Sequence, residues 1–213
     1  MNHLWDISPP IRVGSPVFPG DTPFEQRWVA NIGPGCPVNV SSLTLSPHTG
    51  AHADAPLHYE DGAAAIGVVS LAPFLGHCRV IHAIRVRPLV TLANLAHALP
   101  ANGAPPPPRI LVRTYERAPL DVFDPDCAAF APETLEALAN MGVMLVGIDT
   151  ASVDPADSKT LDSHQVLRRR GLRVLENLVL DEVPEGDYEL IALPLRLESA
   201  DASPVRAILR SLG

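Results

Sequence analysis

Short apolar stretches alternate with turn residues along this chain, a pattern that predicts a mixture of strands and short helices. Runs rich in β-branched and aliphatic residues predict strands at residues 78–86, 109–114 and 143–149, and near 188–197 and 204–212. The last of these segments could also be helical. Two shorter candidate strands lie at residues 4–7 and 39–45. Strands therefore outnumber helices in the predicted structure.

Three short helices are predicted between these strands, at residues 92–99, 133–141 and 162–170. Thr91 is placed to cap the first helix, and Pro132 lies in the first turn of the second. Asp162 or Ser163 can cap the third helix, which ends at Gly171. Because helices and strands are mixed along the chain, we predict one α/β domain over residues 1–213, with a partly antiparallel sheet.

Composition narrows the class of protein further. Proline accounts for 23 of the 213 residues, about twice the usual share of roughly 5%, which excludes long helices because proline interrupts them. The 24 acidic and 16 basic residues give a net charge of −8. A phosphate backbone attracts the opposite sign, so we expect no nucleic-acid partner.

Cysteine content and hydropathy indicate the compartment. The three cysteines, Cys36, Cys78 and Cys127, are an odd and widely spaced set, which favours reduced thiols over a disulfide framework. The most apolar stretch, residues 63–76, contains Pro73 and is shorter than the ~20 residues of a membrane span. The first residues have no secretory pattern. We therefore expect a cytoplasmic protein with no membrane partner.

Three histidines and an aspartate lie close together in one segment: His48, His52, Asp54 and His58. All four have even numbers, so an extended chain would direct them to one face. A straight strand would nevertheless spread them over about 33 Å, too far for a single site. The chain must therefore bend, and residues 50 and 56, a glycine and a proline, lie where bends would bring the four side chains together.

Imidazole nitrogens with a carboxylate oxygen are a ligand set that suits Zn²⁺, whereas Mg²⁺ prefers oxygen ligands alone. Asp54 has two carboxylate oxygens, so it could bind one metal or bridge two. The alternative is that these are ordinary surface or core histidines. The density of histidines in this segment, which is almost free of other charged residues, favours the metal site.

The segment at 48–59 resembles the H-x-G-x-H-x-D-x-P-x-H signature of the cyclase-like metal-dependent hydrolases. Four further stretches, at 4–10, 15–21, 147–155 and 161–164, resemble the bacterial kynurenine formamidase branch of that family. The resemblance extends over nearly the whole chain. It implies a swivelling β/β/α fold, usually in a homodimer, and hydrolysis of N-formyl-L-kynurenine to L-kynurenine and formate.

The resemblance also implies roles for individual residues. His48, His52 and Asp54 would bind one zinc ion, and Asp54 would bridge to a second zinc ion held also by His164 and Glu176. His58 would donate and accept the proton. Phe18 matches a substrate-contacting position at which the family often has tryptophan. Without the resemblance, His164 would be a weak candidate and Glu176 would be interpreted as a surface charge.

Other functions remain open at this point. A related zinc hydrolase of another aryl or cyclic amide, such as isatin, would share the ligands and differ around Phe18. A non-catalytic zinc-binding domain is a second alternative, although structural zinc sites are closed and often rich in cysteine. The chain has no G-x-S-x-G sequence, which argues against a serine hydrolase.

Overall fold

The structure, a computed structural model, describes residues 3–101 and 103–212. Its strands are β1 (Leu4–Asp6), β2 (Glu25–Ala30), β3 (Val40–Thr44), β4 (His52–Asp54), β5 (Leu75–His82), β6 (Leu89–Val90), β7 (Arg109–Arg113), β8 (Ala129–Phe130), β9 (Leu145–Ile148), β10 (Arg173–Glu176), β11 (Gly186–Ile191), β12 (Ala202–Pro204) and β13 (Ile208–Ser211). Its α-helices are α1 (Leu92–Leu95), α2 (Pro132–Asn140) and α3 (Asp162–Arg170). Three 3₁₀ turns cover Pro56–His58, Ile66–Val68 and Ala72–Phe74.

Nine of these strands form one mixed sheet in the order β1-β13-β11-β5-β7-β9-β10-β4-β12. Its four central strands, β5, β7, β9 and β10, run parallel, and the strands on both sides of them are antiparallel. The predicted α/β class with a partly antiparallel sheet is confirmed. That one domain extends over residues 1–213 stays a prediction.

The nine-stranded sheet is strongly curled. β12 and β13 are separated by seven inter-strand steps in the sheet, which would be about 34 Å in a flat sheet. Only residues 205–207 connect them, and the step from residue 204 to 208 spans at most about 14 Å. The two edges of the sheet must therefore approach each other, which accounts for the interruption of the single strand predicted at 204–212.

Helices α2 and α3 cover one face of the sheet. On β7, Ile110 and Val112 pack in the same buried cluster as Leu138 of α2 and Val166 of α3. Leu111, between them, belongs to a second buried cluster on the opposite face. This alternation is the two-residue period of a strand buried on both sides.

Several predicted elements have different bounds. The strand predicted at 78–86 begins at Leu75 and ends at His82, before a left-handed backbone conformation at Arg85. The helix predicted at 92–99 keeps α-helical hydrogen bonding only over Leu92–Leu95, and the strand near 188–197 ends at Ile191. The longest helices within the described residues have nine residues, as the proline content predicts. None of the helices described is long and apolar enough to cross a membrane.

The cap of α3 is a correction to the sequence prediction. Neither Asp162 nor Ser163 caps this helix. Instead, the Asp154 carboxylate accepts hydrogen bonds from the backbone amides of Ser163 and His164, at 2.8 and 2.9 Å. A carboxylate at a helix N-terminus binds amides that have no partner within the helix. The preceding loop therefore positions the start of α3. The predicted end of this helix at Gly171 is confirmed by the left-handed conformation of that glycine.

Replacing Leu111 with alanine tests how far stability depends on the face opposite the helices. Leu111 has no exposed surface, so Leu111→Ala should lower the free energy of unfolding by about 2–5 kcal/mol through lost burial and a residual cavity. The matched variant Leu195→Ala, at a position that is 58% exposed, should change it by less than about 0.5 kcal/mol. Urea unfolding followed by circular dichroism measures both. Equal effects of the two variants would contradict this account.

Candidate active site

The histidine-rich segment, residues 48–58, contains a short buried strand. His52 and Asp54 begin and end β4, and because they are two residues apart their side chains lie on the same face. Gly50 has a φ of 68° and turns the chain before the strand. Pro56 opens the 3₁₀ turn that ends at His58. The two bends predicted from the sequence are thus confirmed. They bring the side chains of His48, His52, Asp54 and His58 together in one centre.

Two elements distant in sequence complete this centre. Glu176 is the last residue of β10 and is paired with His52 across the antiparallel β10–β4 ladder. The His52 Nε2 atom lies 3.2 Å from Glu176 Oε2. His164, in the first turn of α3, places its Nε2 atom 3.8 Å from Glu176 Oε1. The pairing of β10 with β4 therefore brings His52 and Glu176 together.

Asp54 lies between the histidines, and its two carboxylate oxygens face different ones. Its Oδ1 atom is 3.1 Å from His48 Nδ1 and 3.5 Å from His52 Nε2. Its Oδ2 atom is 3.4 Å from His164 Nε2. The Asp54 side chain has no exposed surface. One carboxylate therefore joins two sets of donors, each with its own oxygen.

The buried histidines are held by hydrogen bonds through the ring nitrogen that faces away from this centre. His52 Nδ1 lies 2.9 Å from the Gly50 carbonyl, which can only accept, so this nitrogen carries the proton. His164 Nδ1 lies 2.6 Å from Asp154 Oδ2. Each contact leaves the Nε2 atom facing Asp54 and Glu176. Such anchoring by a carbonyl or a carboxylate is typical of metal-binding histidines.

Two buried acceptors test whether these residues fit a metal ion. Within the described residues, no group makes a hydrogen bond of acceptable geometry to His52 Nε2 or Asp54 Oδ1, although both atoms are buried. Leaving such buried atoms without a hydrogen bond is costly. Two groups of three, His48–Asp54–His58 and His52–Asp54–Glu176, each have ligand atoms within 4.8 Å of one another. Imidazole nitrogens with carboxylate oxygens suit zinc. The residues present therefore fit a metal ion.

Opposite charges lie close together in this centre. Burial alone would lower the pKa of His48, but the carboxylates of Asp54 and Asp201 raise it to about 9. Burial would likewise lower the pKa of His164, which hydrogen bonds with Asp154 and Asp54 raise to about 10. Burial would raise the pKa of Asp54, yet the surrounding histidines hold it well below its usual range. The carboxylates that stabilise these charged imidazoles would stabilise a metal cation for the same reason.

His58 lies at the open side of this centre. Its side chain is 31% exposed, against 4% or less for His52, Asp54, His164 and Glu176. The His58 Nδ1 atom is 3.2 Å from Asp201 Oδ2, and the same oxygen is 3.0 Å from His48 Nε2. His58 can thus exchange protons with solvent while one of its nitrogens is held.

Phe18 lines the cavity above the centre, together with His48, His58, His164 and Asn177. It also lines a neighbouring cavity with mostly apolar walls, which include Val122, Phe123 and Leu178. The Phe18 and Phe123 rings meet edge to face, with centroids 5.3 Å apart. An aryl group could therefore lie beside the polar centre. The predicted site residues all line or underlie this one cavity.

Three residues of this site were not predicted from the sequence. Asp154 and Asp201 hold the site histidines through hydrogen bonds, and Asn177 lines both cavities with a left-handed backbone. Asp154 follows the predicted strand 143–149 within a stretch of polar residues, a pattern typical of functional loops. Nothing around Asp201 distinguishes it from an ordinary loop acid. Its role becomes visible only once β12 is paired with β4.

Comparisons with known proteins agree with this geometry. The Cyclase family model matches residues 5–155. The chain is 70% identical to the kynurenine formamidase of Paracidovorax citrulli (strain AAC00-1), over 98% of this chain and 96% of that protein. It is 65% identical to the kynurenine formamidase of Bordetella pertussis (strain Tohama I), over the full length of both.

Solved structures give the same result for the fold. A potential metal-dependent hydrolase with cyclase activity superposes with a TM-score of 0.84 at 26% identity, over the full length of both chains. Isatin hydrolase A from Labrenzia aggregata superposes with a TM-score of 0.83, over 100% of this chain and 94% of that one. At 20% identity the latter similarity concerns the fold alone. Of the four proteins just named, the two kynurenine formamidases are the more similar to this chain in sequence. The chain belongs to the Cyclase family.

Proposed function

We propose that this protein is a zinc-dependent amidohydrolase that hydrolyses N-formyl-L-kynurenine to L-kynurenine and formate. The observation that carries the proposal is the buried centre in which His52 Nε2 and Asp54 Oδ1 make no hydrogen bond within the described residues, beside a cavity lined by Phe18. Such a centre suits a metal hydrolase acting on an aryl substrate. The substrate itself is inferred from the relatives named kynurenine formamidase.

Two zinc ions would be held by this chain's own residues. His48, His52 and Asp54 would bind the first, and Asp54, His164 and Glu176 the second. The arrangement of Asp54 supports this division, because Oδ1 faces His48 and His52 while Oδ2 faces His164. Bound zinc lowers the pKa of water to about 7 and polarises a carbonyl group.

His58 would act as the proton donor and acceptor. Hydrolysis adds water to the formyl carbon and breaks the C–N bond, and the departing aryl nitrogen must take up a proton. Since Nδ1 of His58 is held by Asp201, Nε2 is the atom that transfers this proton. Phe18 would bind the aryl ring, because it lines both the polar cavity and its apolar neighbour. Three unpaired cysteines suit a cytoplasmic setting for this reaction.

A homodimer is also part of this proposal. The hairpin of β2 and β3 is exposed at nearly every position, and its large apolar side chains are Trp28, Val29, Val40 and Leu43. Exposed apolar groups in such density favour a protein partner. A second copy of this chain is the occupant we propose for this hairpin.

Removing the metal should abolish activity. Protein stripped by a chelator should hydrolyse N-formyl-L-kynurenine negligibly, and activity should return when about two zinc ions per chain are bound. Release of formate, followed together with zinc content, measures this. Activity that survives complete metal removal would contradict the zinc-dependent mechanism. A zinc-loaded protein that ignores this substrate would contradict the substrate alone.

Removing the imidazole of His58 should impair proton transfer without emptying the centre. His58→Ala should lower kcat on N-formyl-L-kynurenine by about 10²–10⁴-fold, with zinc content unchanged. The matched control is His97→Ala, since His97 is an exposed histidine that contacts Glu185 and not the centre. The control should keep wild-type kcat. Full turnover by His58→Ala at normal zinc content would exclude the proposed role.

Charging the exposed hairpin should separate the two copies. Trp28→Lys combined with Leu43→Lys places two cations on one face of the hairpin, where they would have to be desolvated on association. Sedimentation velocity at micromolar concentration should show a dimer for the wild type and a monomer for this variant. Val68→Lys, at a position that is 66% exposed outside the hairpin, should remain dimeric. A monomeric wild type would refute the dimer.

A further inference from the structure

Asp201 connects two histidines of the active site through a single oxygen. Its Oδ2 atom lies 3.0 Å from His48 Nε2 and 3.2 Å from His58 Nδ1. The two imidazole rings lie side by side, with centroids 4.3 Å apart. An ionised carboxylate can only accept hydrogen bonds, so both ring nitrogens that face it carry protons.

The backbone around Asp201 is fixed on both sides. The Asp201 carbonyl accepts a hydrogen bond from the Ala55 amide at 2.8 Å. The next residue, Ala202, begins β12 and is paired with Asp54. On the other side, the Ala200 carbonyl accepts a hydrogen bond from the Ile66 amide at 2.9 Å. The carboxylate therefore projects from a backbone that is hydrogen-bonded directly to the strand carrying Asp54.

His58 depends on the Asp201 anchor more than His52 and His164 depend on any single contact. Its side chain is 31% exposed, whereas His52 and His164 are enclosed by the core and held by their own contacts. A half-exposed imidazole without a fixed partner can rotate, and either nitrogen can carry the proton. The bond to Asp201 removes this ambiguity by assigning the proton to Nδ1.

We propose that Asp201 is a positioning residue for His58: it fixes the ring and its tautomer so that Nε2 faces the nitrogen of the leaving amine. The inference rests on the proposed function of this site and adds a residue to it. Asp201 acts through His58 and does not touch the substrate. The consequence is that Asp201 matters most when the leaving group requires a proton.

Two substrates with different leaving groups test this consequence. An aryl amine cannot leave without a proton, whereas the nitrophenolate of 4-nitrophenyl formate leaves as a stable anion. Asp201→Asn should lower kcat on N-formyl-L-kynurenine by about 10- to 100-fold, because a misplaced catalytic group reacts less often, and should change hydrolysis of the ester by less than about twofold. Zinc content should remain that of the wild type, because His48 keeps its Nδ1 contact with Asp54.

A double variant tests whether the effect passes through His58. If it does, His58→Ala combined with Asp201→Asn should be no slower on the amide than His58→Ala alone. Asp187→Asn is the matched control, since this carboxylate also contacts a histidine, His77 at 3.4 Å. Asp187 lies on β11, separated from β10 by three strands, and its variant should behave as wild type on both substrates.

Three results would overturn the inference. The first is an equal loss on amide and ester, with or without loss of zinc, which would assign Asp201 to the metal ligand His48. The second is wild-type amide activity in Asp201→Asn, and the third is an additive loss in the double variant. Failure of the proposed function would be seen separately, because the wild-type protein itself would then leave N-formyl-L-kynurenine unhydrolysed.

Discussion

The active site depends on the carboxylate of Asp54, which has no exposed surface. A buried charge is tolerated only where it is paired and hydrogen-bonded, and here His48, His52 and His164 surround it. These histidines come from a turn, a strand and a helix, so the charge is compensated only once all three elements have assembled. The long-range pairing of the sheet is thereby coupled to the chemistry of the centre.

The local geometry of the site could be predicted from the sequence, and its distant partners could not. The even spacing of His52 and Asp54 places them on one face of a strand, and Gly50 turns the chain before it, as predicted. β10 was missed because only Val174 and Leu175 in it are apolar, a run too short to indicate a strand. Without that strand, nothing in the sequence brings Glu176 opposite His52. Only the family resemblance suggested a role for Glu176.

The anchoring residues were missed for a related reason. Asp154 lies ten residues before His164, and Asp201 lies 143 residues after His58. An aspartate in a loop has the same local pattern whether it caps a turn, faces solvent or holds an imidazole. The same limit applies to the single strand predicted at 204–212, because the curl of the sheet depends on pairings far apart in the chain. The local sequence pattern predicts individual strands and helices. The curl of the sheet and the contacts that anchor the histidines depend on the whole fold.

The exposure of the histidines separates their functions. The residues proposed to hold metal are at most 15% exposed in their side chains, which keeps competing water away and strengthens their electrostatic interactions. A group that accepts a proton from water and gives it to the product in each turnover needs contact with solvent. His58, at 31% exposed, has that contact. An imidazole in contact with solvent would otherwise be free to rotate. The Asp201 carboxylate restrains this rotation without burying the ring. Proton exchange and fixed orientation are compatible here because one nitrogen is anchored while the other remains available.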